Sequence, residues 1–550
     1  MLAWLAREVL TLQGFFAEAE DERLLPLERE VRVKSTTDQS RRDDRKALME
    51  LGREQLAAMN LIVASNRGPV EFRREPDGRI SYRRGQGGLV TALSSLVEVL
   101  ESTWISAPLS PIDAEVGERF ADRLRIPMGA HPMQLAFVKP DPACFHGYYD
   151  ILANSLLWFV QHGISQPYEL DFDEGVWQAW ESYREVNRQF ARAIAAVAAR
   201  SSKMPLVLIQ DYHLYLVPLF LRTMLPKAFL HHFTHIAWPG PEAWFHFPPA
   251  VREELLKSLL CCDLVGFHTP HYAQNFLATC EQLLGVSVGR GRVCFQGRDV
   301  AVRSYPISIA PDELWDFASS EIVQEFDTQL DMGDTLNVVQ VARTDPSKNL
   351  LRSLKAFELF LHRHPQFDGK VRYWGILPAS RQGAEIYRHY LERIKAEAHA
   401  INKRFHRRSW KPVELLFDNS YARAIAAMKH YDVLLVNSLA DGMNLVAKEG
   451  PIVNQRHGVL LLSETTGAFD ELGDGALAIN PYDVVGTAEA LYQALTMPLM
   501  QRRRLQGILR RQIETHSIYR WGLSQMQDIL EACPPRLRAT PFFPELRDEA

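Results

Sequence analysis

The chain has 550 residues, of which 47% are apolar and 23% charged, with a net charge of −5. That is globular composition with core material for two or more domains, and it excludes a disordered or collagen-like chain. No long basic run points to a nucleic-acid partner, and no apolar run is long enough to cross a bilayer.

Residues 1–59 are helix-prone and highly charged, with 35–45 (STTDQSRRDDR) expected as an exposed linker. Leu2, Leu5, Val9, Leu12 and Phe16 form one apolar stripe that suits docking on the body of the chain or on a partner, with the body favoured. Arg7 and Glu8 interrupt the first apolar stretch, which makes it a poor signal peptide. Six scattered cysteines form neither a disulfide framework nor a C-x-x-C zinc pair, so the expected location is the reducing cytoplasm.

The body begins at a β-rich run, 60–65 (NLIVAS), that breaks at 66–69 (NRGP). Gly85, Gln86, Gly87 and Gly88 then precede a helical pattern over 89–100. A Gly-rich loop ahead of a helix can cradle phosphate, although tight turns need glycine too. Farther on, apolar strands alternate with helices at 206–209, 230–236, 264–267 and 306–309. After a helical link the pattern restarts at 336–341, 371–376, 413–417, 432–436, 459–462 and 476–479. This predicts an α/β chain of two doubly wound, Rossmann-like parallel-sheet domains. Ligands in such sheets bind beyond the strand C-termini. Asp211, His235, Arg343 with Lys348, and Asp441 all fall at such ends.

The stretch 441–449 (DGMNLVAKE) follows the apolar run 432–436. Gly442 has no Cβ and lets backbone come close to a ligand. A helix expected from Leu445 onward would leave free N–H groups at its start, an anion site. Glu449, about two turns on, is placed to accept hydrogen bonds from a ribose diol. From spacing alone, a strand–turn–helix with a capping Asp is equally compatible. His231, His232 and His235 also suggest zinc, but no acidic or cysteine partner is spaced for it.

Taken in order, 65–67 (SNR), 87–89 (GGL), 211–214 (DYHL), 235–236 (HI), 263–267 (DLVGF), Arg343 with Lys348, 441–449 and 480–483 (NPYD) resemble the trehalose-6-phosphate synthases, retaining glycosyltransferases of GT-B fold. The resemblance runs from about residue 60 to about residue 530. It implies an N-terminal extension (1–59), an acceptor domain (60–325), a nucleotide-sugar domain (326–505) and a terminal helix and tail (506–550) that crosses back to the first domain. The two domains would face each other across a cleft. The implied reaction moves glucose, with retention, from a nucleotide-glucose to glucose-6-phosphate.

The resemblance also implies roles. Arg343 and Lys348 would hold the diphosphate, Asp211 would orient acceptor hydroxyls, and His235 and Asp441 would bond the donor sugar. Gly87, Gly88, Gly442, Met443, Asn444, Leu445, Val446 and Glu449 would line the donor site. Arg67, Trp104, Tyr149 and Trp158 would surround the acceptor. The acceptor hydroxyl would attack on the donor's own face, and the departing phosphate oxygen would take its proton. The rival is double displacement through Asp211, which predicts a trapped glycosyl-enzyme. No cofactor or metal is expected, and no nucleic-acid or membrane partner; a homo-oligomer is left open. With the chain ending soon after residue 530, product dephosphorylation is expected to fall to a separate protein.

The sequence departs from the family pattern at Pro346 and Asn349, where the family has tyrosine and glycine, and at Asn437 and Ala440, where it has threonine and arginine. Leu391 stands where the family carries an arginine that grips the acceptor phosphate, and Arg381 or Arg388 would replace it. These departures resemble the actinobacterial branch, with its GDP-glucose-using synthases and validamycin-type pseudo-glycosyltransferases. They keep open another acceptor, as in glucosylglycerol-phosphate synthase, and a silent sugar-nucleotide-binding regulator. The choice among UDP-, GDP- and ADP-glucose is likewise open.

Overall fold

The computed structural model describes residues 43–84, 101–120, 124–128, 131–164, 171–333, 335–381, 385–407 and 410–533. The Leu2–Phe16 stripe, Gly87, Gly88, the helical pattern 89–100 and the tail after residue 533 lie outside the described residues.

The strands of the first half are β1 (Met59–Ala64), β2 (Val70–Arg74), β3 (Ile80–Arg84), β4 (Ser102–Ser106), β5 (Arg125–Met128) and β6 (His131–Phe137). They continue with β7 (Met204–Gln210), β8 (Phe229–Phe233), β9 (Leu264–Phe267), β10 (Ser287–Gly289), β11 (Arg292–Phe295) and β12 (Arg298–Ser304). Except for the β2–β3 hairpin they form one sheet, in the order β10-β11-β12-β9-β8-β7-β1-β4-β6-β5. Its centre is parallel and its two flanks antiparallel. Ile62, Val63 and Ala64 in β1 are fully buried, as a strand covered on both faces requires.

The second half supplies β13 (Leu336–Val341), β14 (Val371–Ile376), β15 (Val413–Leu416), β16 (Val433–Val436), β17 (Val459–Ser463) and β18 (Leu477–Ile479). All pair in parallel, in the order β15-β14-β13-β16-β17-β18. This is the Rossmann strand order, which reverses direction between β13 and β16. The first sheet reverses likewise between β1 and β7. The loops after β1, β7, β13 and β16 carry Arg67, Asp211, the Arg343–Lys348 turn and Asp441, so the topology gathers them at the two crevices where ligands bind in open α/β sheets.

Several expectations need correction. Residues 306–309 are irregular, and the strand lies just before them in β12. β8 ends at Phe233, so His235 stands two residues past the strand. Residues 43–51 are helical and Leu48 is buried, so the end of the expected linker belongs to the body. The segment 305–310 leads from the first sheet to the Pro311–Ala318 helix beside the second. The Ile518–Ala532 helix packs back on the first sheet, through Gln525 on His231 (3.0 Å) and Asp528 on Tyr305 (2.6 Å). One apolar cluster runs between the lobes, from Phe233 through Ile307 and Ile309 to Leu434 and Trp521. No helix among the described residues is long and apolar enough to cross a membrane.

Candidate active site

Lys348 ends the short 3-10 turn Pro346–Lys348 after β13, and its Nζ bonds the Asp441 carboxylate after β16. Both side chains are nearly buried, at 13% and 14% exposure. Burial acts to raise the Asp441 carboxyl, but the Lys348 ammonium outweighs it and holds it below its ordinary value. Ser438 Oγ (3.2 Å) and Asn444 Nδ2 (3.0 Å) donate to the same carboxylate. Asn444 takes a positive φ of 85° and its Oδ1 accepts from Ala447 N–H (3.2 Å), capping the Val446–Val453 helix. Glu449 therefore sits in the first turn of that helix rather than two turns along. Met443 is buried in the core, which leaves only its backbone to face a ligand, while Leu445 and Val446 are partly exposed.

Gly442 corrects the expectation drawn from its missing side chain. A Cβ there would stand 2.0 Å from the carbonyl oxygen of His235 and 3.0 Å from Ile236 Cα. The close approach is to the backbone of the other lobe. Tyr272 of the first lobe also donates its hydroxyl to the Asp441 carbonyl at 2.7 Å.

Across the cleft, Asp211 follows β7 with φ 71° and ψ 170°, a region that essentially only glycine occupies freely. Its Oδ1 accepts the His235 N–H at 3.0 Å. Burial pushes its carboxyl up to about 6, against the lowering effect of these backbone donors. Strain and a raised pKa on one residue at a strand end are the combination expected of a functional position. Burial holds His235 neutral, well below the ordinary histidine value. Its Nε2 pairs with Gln210 Oε1 at 2.9 Å. His231 and His232 turn instead to Leu264 O, Gln525 and Asp211 O, so the three histidines do not converge. Among the described residues, no group of three His, Cys, Asp or Glu is arranged to hold a metal.

A second cluster joins the lobes. Arg381, with φ 41° and 9% side-chain exposure, donates to Asp345 Oδ2 (3.0 Å), Tyr387 Oη (2.5 Å) and Tyr212 Oη (3.1 Å). Tyr212 in turn donates to Asn154 Oδ1 (2.6 Å) and Tyr387 to the Asn154 carbonyl (3.1 Å). The Arg381 guanidinium lies 4.0 Å from the Trp158 ring centroid, and the His162 ring is stacked at 4.0 Å from it. Steric exclusion puts these two groups on opposite faces of the indole. Arg343 is exposed and stands 5.6 Å from the same ring. Tyr149 stacks on His213 at 5.7 Å. Tyr149 and Asn154 belong to a π-helical segment, Gly147–Leu157, a winding that recurs at functional sites. Arg67 is exposed after β1.

Trp104 does not line this cleft. It is fully buried in β4, and its indole N–H is spent on Ser65 Oγ at 2.7 Å. Arg388 is exposed on the Glu385–Phe405 helix, whereas Arg381 stands between the lobes. Leu391 is partly buried on that helix. Asn349 has φ 58°, the left-handed region that asparagine tolerates, and its Nδ2 bonds the Pro481 carbonyl at 2.6 Å. The expected glycine is thus replaced without strain. Asn437 Nδ2 bonds Ser353 Oγ at 3.2 Å, and Ala440 packs against the core of the first lobe.

Sequence reasoning gave no role to Asp345, His162, Tyr212, Tyr387 or Tyr421. Tyr421 donates to Glu449 Oε1 at 2.9 Å. Burial pushes the Glu449 carboxyl up to about 7, which that bond partly opposes. The available signal was position: Tyr212 falls within 211–214, and Asp345 between Arg343 and Lys348.

A model of glycosyltransferase family 20 matches residues 59–531. An alpha,alpha-trehalose-phosphate synthase [UDP-forming] of Botryotinia fuckeliana is 36% identical over 493 residues, covering 87% of this chain and 91% of that protein. A solved structure described as "Trehalose-6-phosphate from E. coli bound with UDP-2-fluoro glucose" is 28% identical. It has a TM-score of 0.73 and covers 86% of this chain and 98% of that one. The Burkholderia xenovorans synthase solved with glucose-6-phosphate is 26% identical, with a TM-score of 0.73, covering 86% and 99%. The two parallel-sheet lobes are thus a GT-B fold.

Proposed function

The chain belongs to glycosyltransferase family 20, and from that premise we propose that it transfers glucose from UDP-glucose to glucose-6-phosphate with retention, giving alpha,alpha-trehalose 6-phosphate. The observation that carries this reading is the convergence of Lys348, Asp441 and Arg343 on one side of the cleft with Asp211 and His235 on the other. Two cations beside a helix start suit a departing diphosphate, whose negative charge grows in the transition state. Glu449, steadied by Tyr421, would take the ribose hydroxyls and Asp441 the glucose hydroxyls. On the first lobe, Asp211 would orient the attacking hydroxyl. Arg67, Tyr149, Trp158 and Arg381 would enclose the acceptor phosphate, with Arg381 standing in for the arginine replaced by Leu391. No metal or cofactor enters this scheme: positioning and charge stabilisation are the protein's contribution.

Kinship with the actinobacterial GDP-glucose users rests only on the departures at Pro346, Asn349, Asn437, Ala440 and Leu391. The UDP-forming relatives favour UDP-glucose as donor. The test is nucleotide release with glucose-6-phosphate, run in parallel with UDP-, GDP- and ADP-glucose. Release with UDP-glucose, together with a new phosphorylated disaccharide, is the expected result. Release only with another donor would overturn the base assignment. No release with any donor would overturn the reaction. Mass spectrometry of enzyme incubated with a 2-fluoro donor should find no glucosylated Asp211; an adduct there would establish double displacement.

A further inference from the structure

Asp345 lies between the two residues proposed to hold the diphosphate, and its side chain bonds both its own turn and Trp158 of the other lobe. Its Oδ1 accepts from Ser347 N–H (3.0 Å) and Ser347 Oγ (2.9 Å), which fixes the turn that presents Lys348. The same oxygen accepts the indole N–H of Trp158 at 3.2 Å, from 187 residues away in the chain. Its Oδ2 takes the Arg381 guanidinium at 3.0 Å. Burial acts to raise the Asp345 carboxyl, but Arg381 and Arg343 outweigh it and keep the group ionised. The carboxylate is fully buried and Trp158 is 5% exposed, so no solvent stands ready to replace a lost donor.

We infer that Asp345 is a positioning residue that couples the acceptor lobe to the diphosphate turn, with two links: the Trp158 indole N–H, and the Arg381 guanidinium through its bond to Tyr212 of the acceptor lobe. Whatever shifts Trp158, or draws Arg381 from Asp345, alters the carboxylate that holds the Ser347–Lys348 backbone. Lys348 is three residues on and grips Asp441, so the change reaches the donor site through one short turn. Coupling needs two linked sites and a physical connection between them. This inference rests on the donor and acceptor assignments made under the proposed function.

The test is calorimetric binding of UDP to the free enzyme and to Trp158→Phe. The substitution keeps an aromatic ring for Arg381 and His162, removes the N–H that reaches Asp345 and trims the buried indole by one ring. The Kd for UDP should rise about tenfold, within the usual range for coupled sites. In the Asp345→Ala background, which removes the acceptor of that N–H, Trp158→Phe should have no further effect on UDP binding. An unchanged Kd in Trp158→Phe overturns the coupling. So does an equal effect in both backgrounds, because that would route the loss through Arg343 stacking on the ring. Should Trp158→Phe fail to fold, Ser347→Ala loosens the same carboxylate from the other side. It should raise the KM for glucose-6-phosphate severalfold, and an unchanged KM would again overturn the coupling. A wild-type enzyme that binds none of UDP, GDP or ADP would instead refute the transferase reading.

Discussion

Replacing Gly442 by alanine tests whether the two lobes must meet backbone to backbone. The new Cβ would lie 2.0 Å from the His235 carbonyl oxygen, against the 3.4 Å at which ordinary contact begins, so the loops must part by about 1.4 Å. The clash is with backbone, and no rotamer change relieves it. The φ of Gly442 lies outside the left-handed region, so alanine adds no local strain and the contact alone is tested. His235 and Asp441, each adjacent to the contact, would separate by a similar amount. A misplacement of about 1 Å can cost on the order of a hundredfold in rate. We therefore expect kcat/KM for glucosyl transfer to fall about a hundredfold, measured by coupled nucleotide release with UDP-glucose and glucose-6-phosphate. The fall should be mainly in kcat, with a cooperative melting transition preserved. A variant within threefold of wild type would refute the claim that this contact sets the cleft geometry.

Arg343→Ala and Lys348→Ala should each lower kcat about a hundredfold or more through lost leaving-group stabilisation, and a near-normal kcat in either would remove that role. Arg381→Ala should raise the KM for glucose-6-phosphate and also lower the melting temperature, because it leaves Asp345 a buried, unpaired charge; an unchanged KM would shift the assignment to Arg388. Asp211, raised to about 6 by burial, binds its proton more tightly folded than unfolded, so its ionisation costs stability as pH rises from about 4 to about 6. Asp211→Asn should therefore melt higher than wild type at pH 7.5 while losing activity, and the gain should shrink as pH falls toward 4; a gain independent of pH would contradict the burial argument. Glu449, raised to about 7, should make the donor KM climb as pH falls below 7. Tyr421→Phe removes the bond that lowers this pKa and should move that climb to higher pH; an unmoved profile would show that Glu449 does not control it.

The second lobe was legible almost strand for strand. β13 and β14 match their apolar runs, because strands covered on both faces are apolar at nearly every position. The margins of the first sheet were not legible, because exposed antiparallel strands alternate and carry charge. Arg298–Ser304, R-D-V-A-V-R-S, stands where the parallel centre meets one antiparallel flank and has only three buried apolar residues between charged ends, so the neighbouring apolar stretch 306–309 took its place. The β2–β3 hairpin did leave a signal, the Asp77–Gly78 turn with Gly78 at φ 82°. Within the site, motifs located Lys348 and Asp441 but not the contacts between lobes. Trp158 with Asp345 and Arg381 with Tyr212 join residues far apart in sequence, and a single chain carries no local pattern for such pairs. Trp104 shows the converse, since a tryptophan near the pocket in sequence proved to be filling the core.

The chain passes between the lobes at 305–310 and returns just before Ile518, whose N–H bonds the Ile309 carbonyl at 3.0 Å. Two passages tied at one place have the geometry of a single hinge, about which the lobes would swing rather than slide. A swing would move atoms least at the hinge and most at the far rim, as the pages of a book move about its spine. Lys448 reaches from the donor helix to the Ile307 carbonyl at 2.8 Å, with its charge buried against Glu471. The donor helix is thereby pinned to the spine of that book, and a nucleotide-sugar resting on it would stay near the axis while the opposite page turns to admit the acceptor.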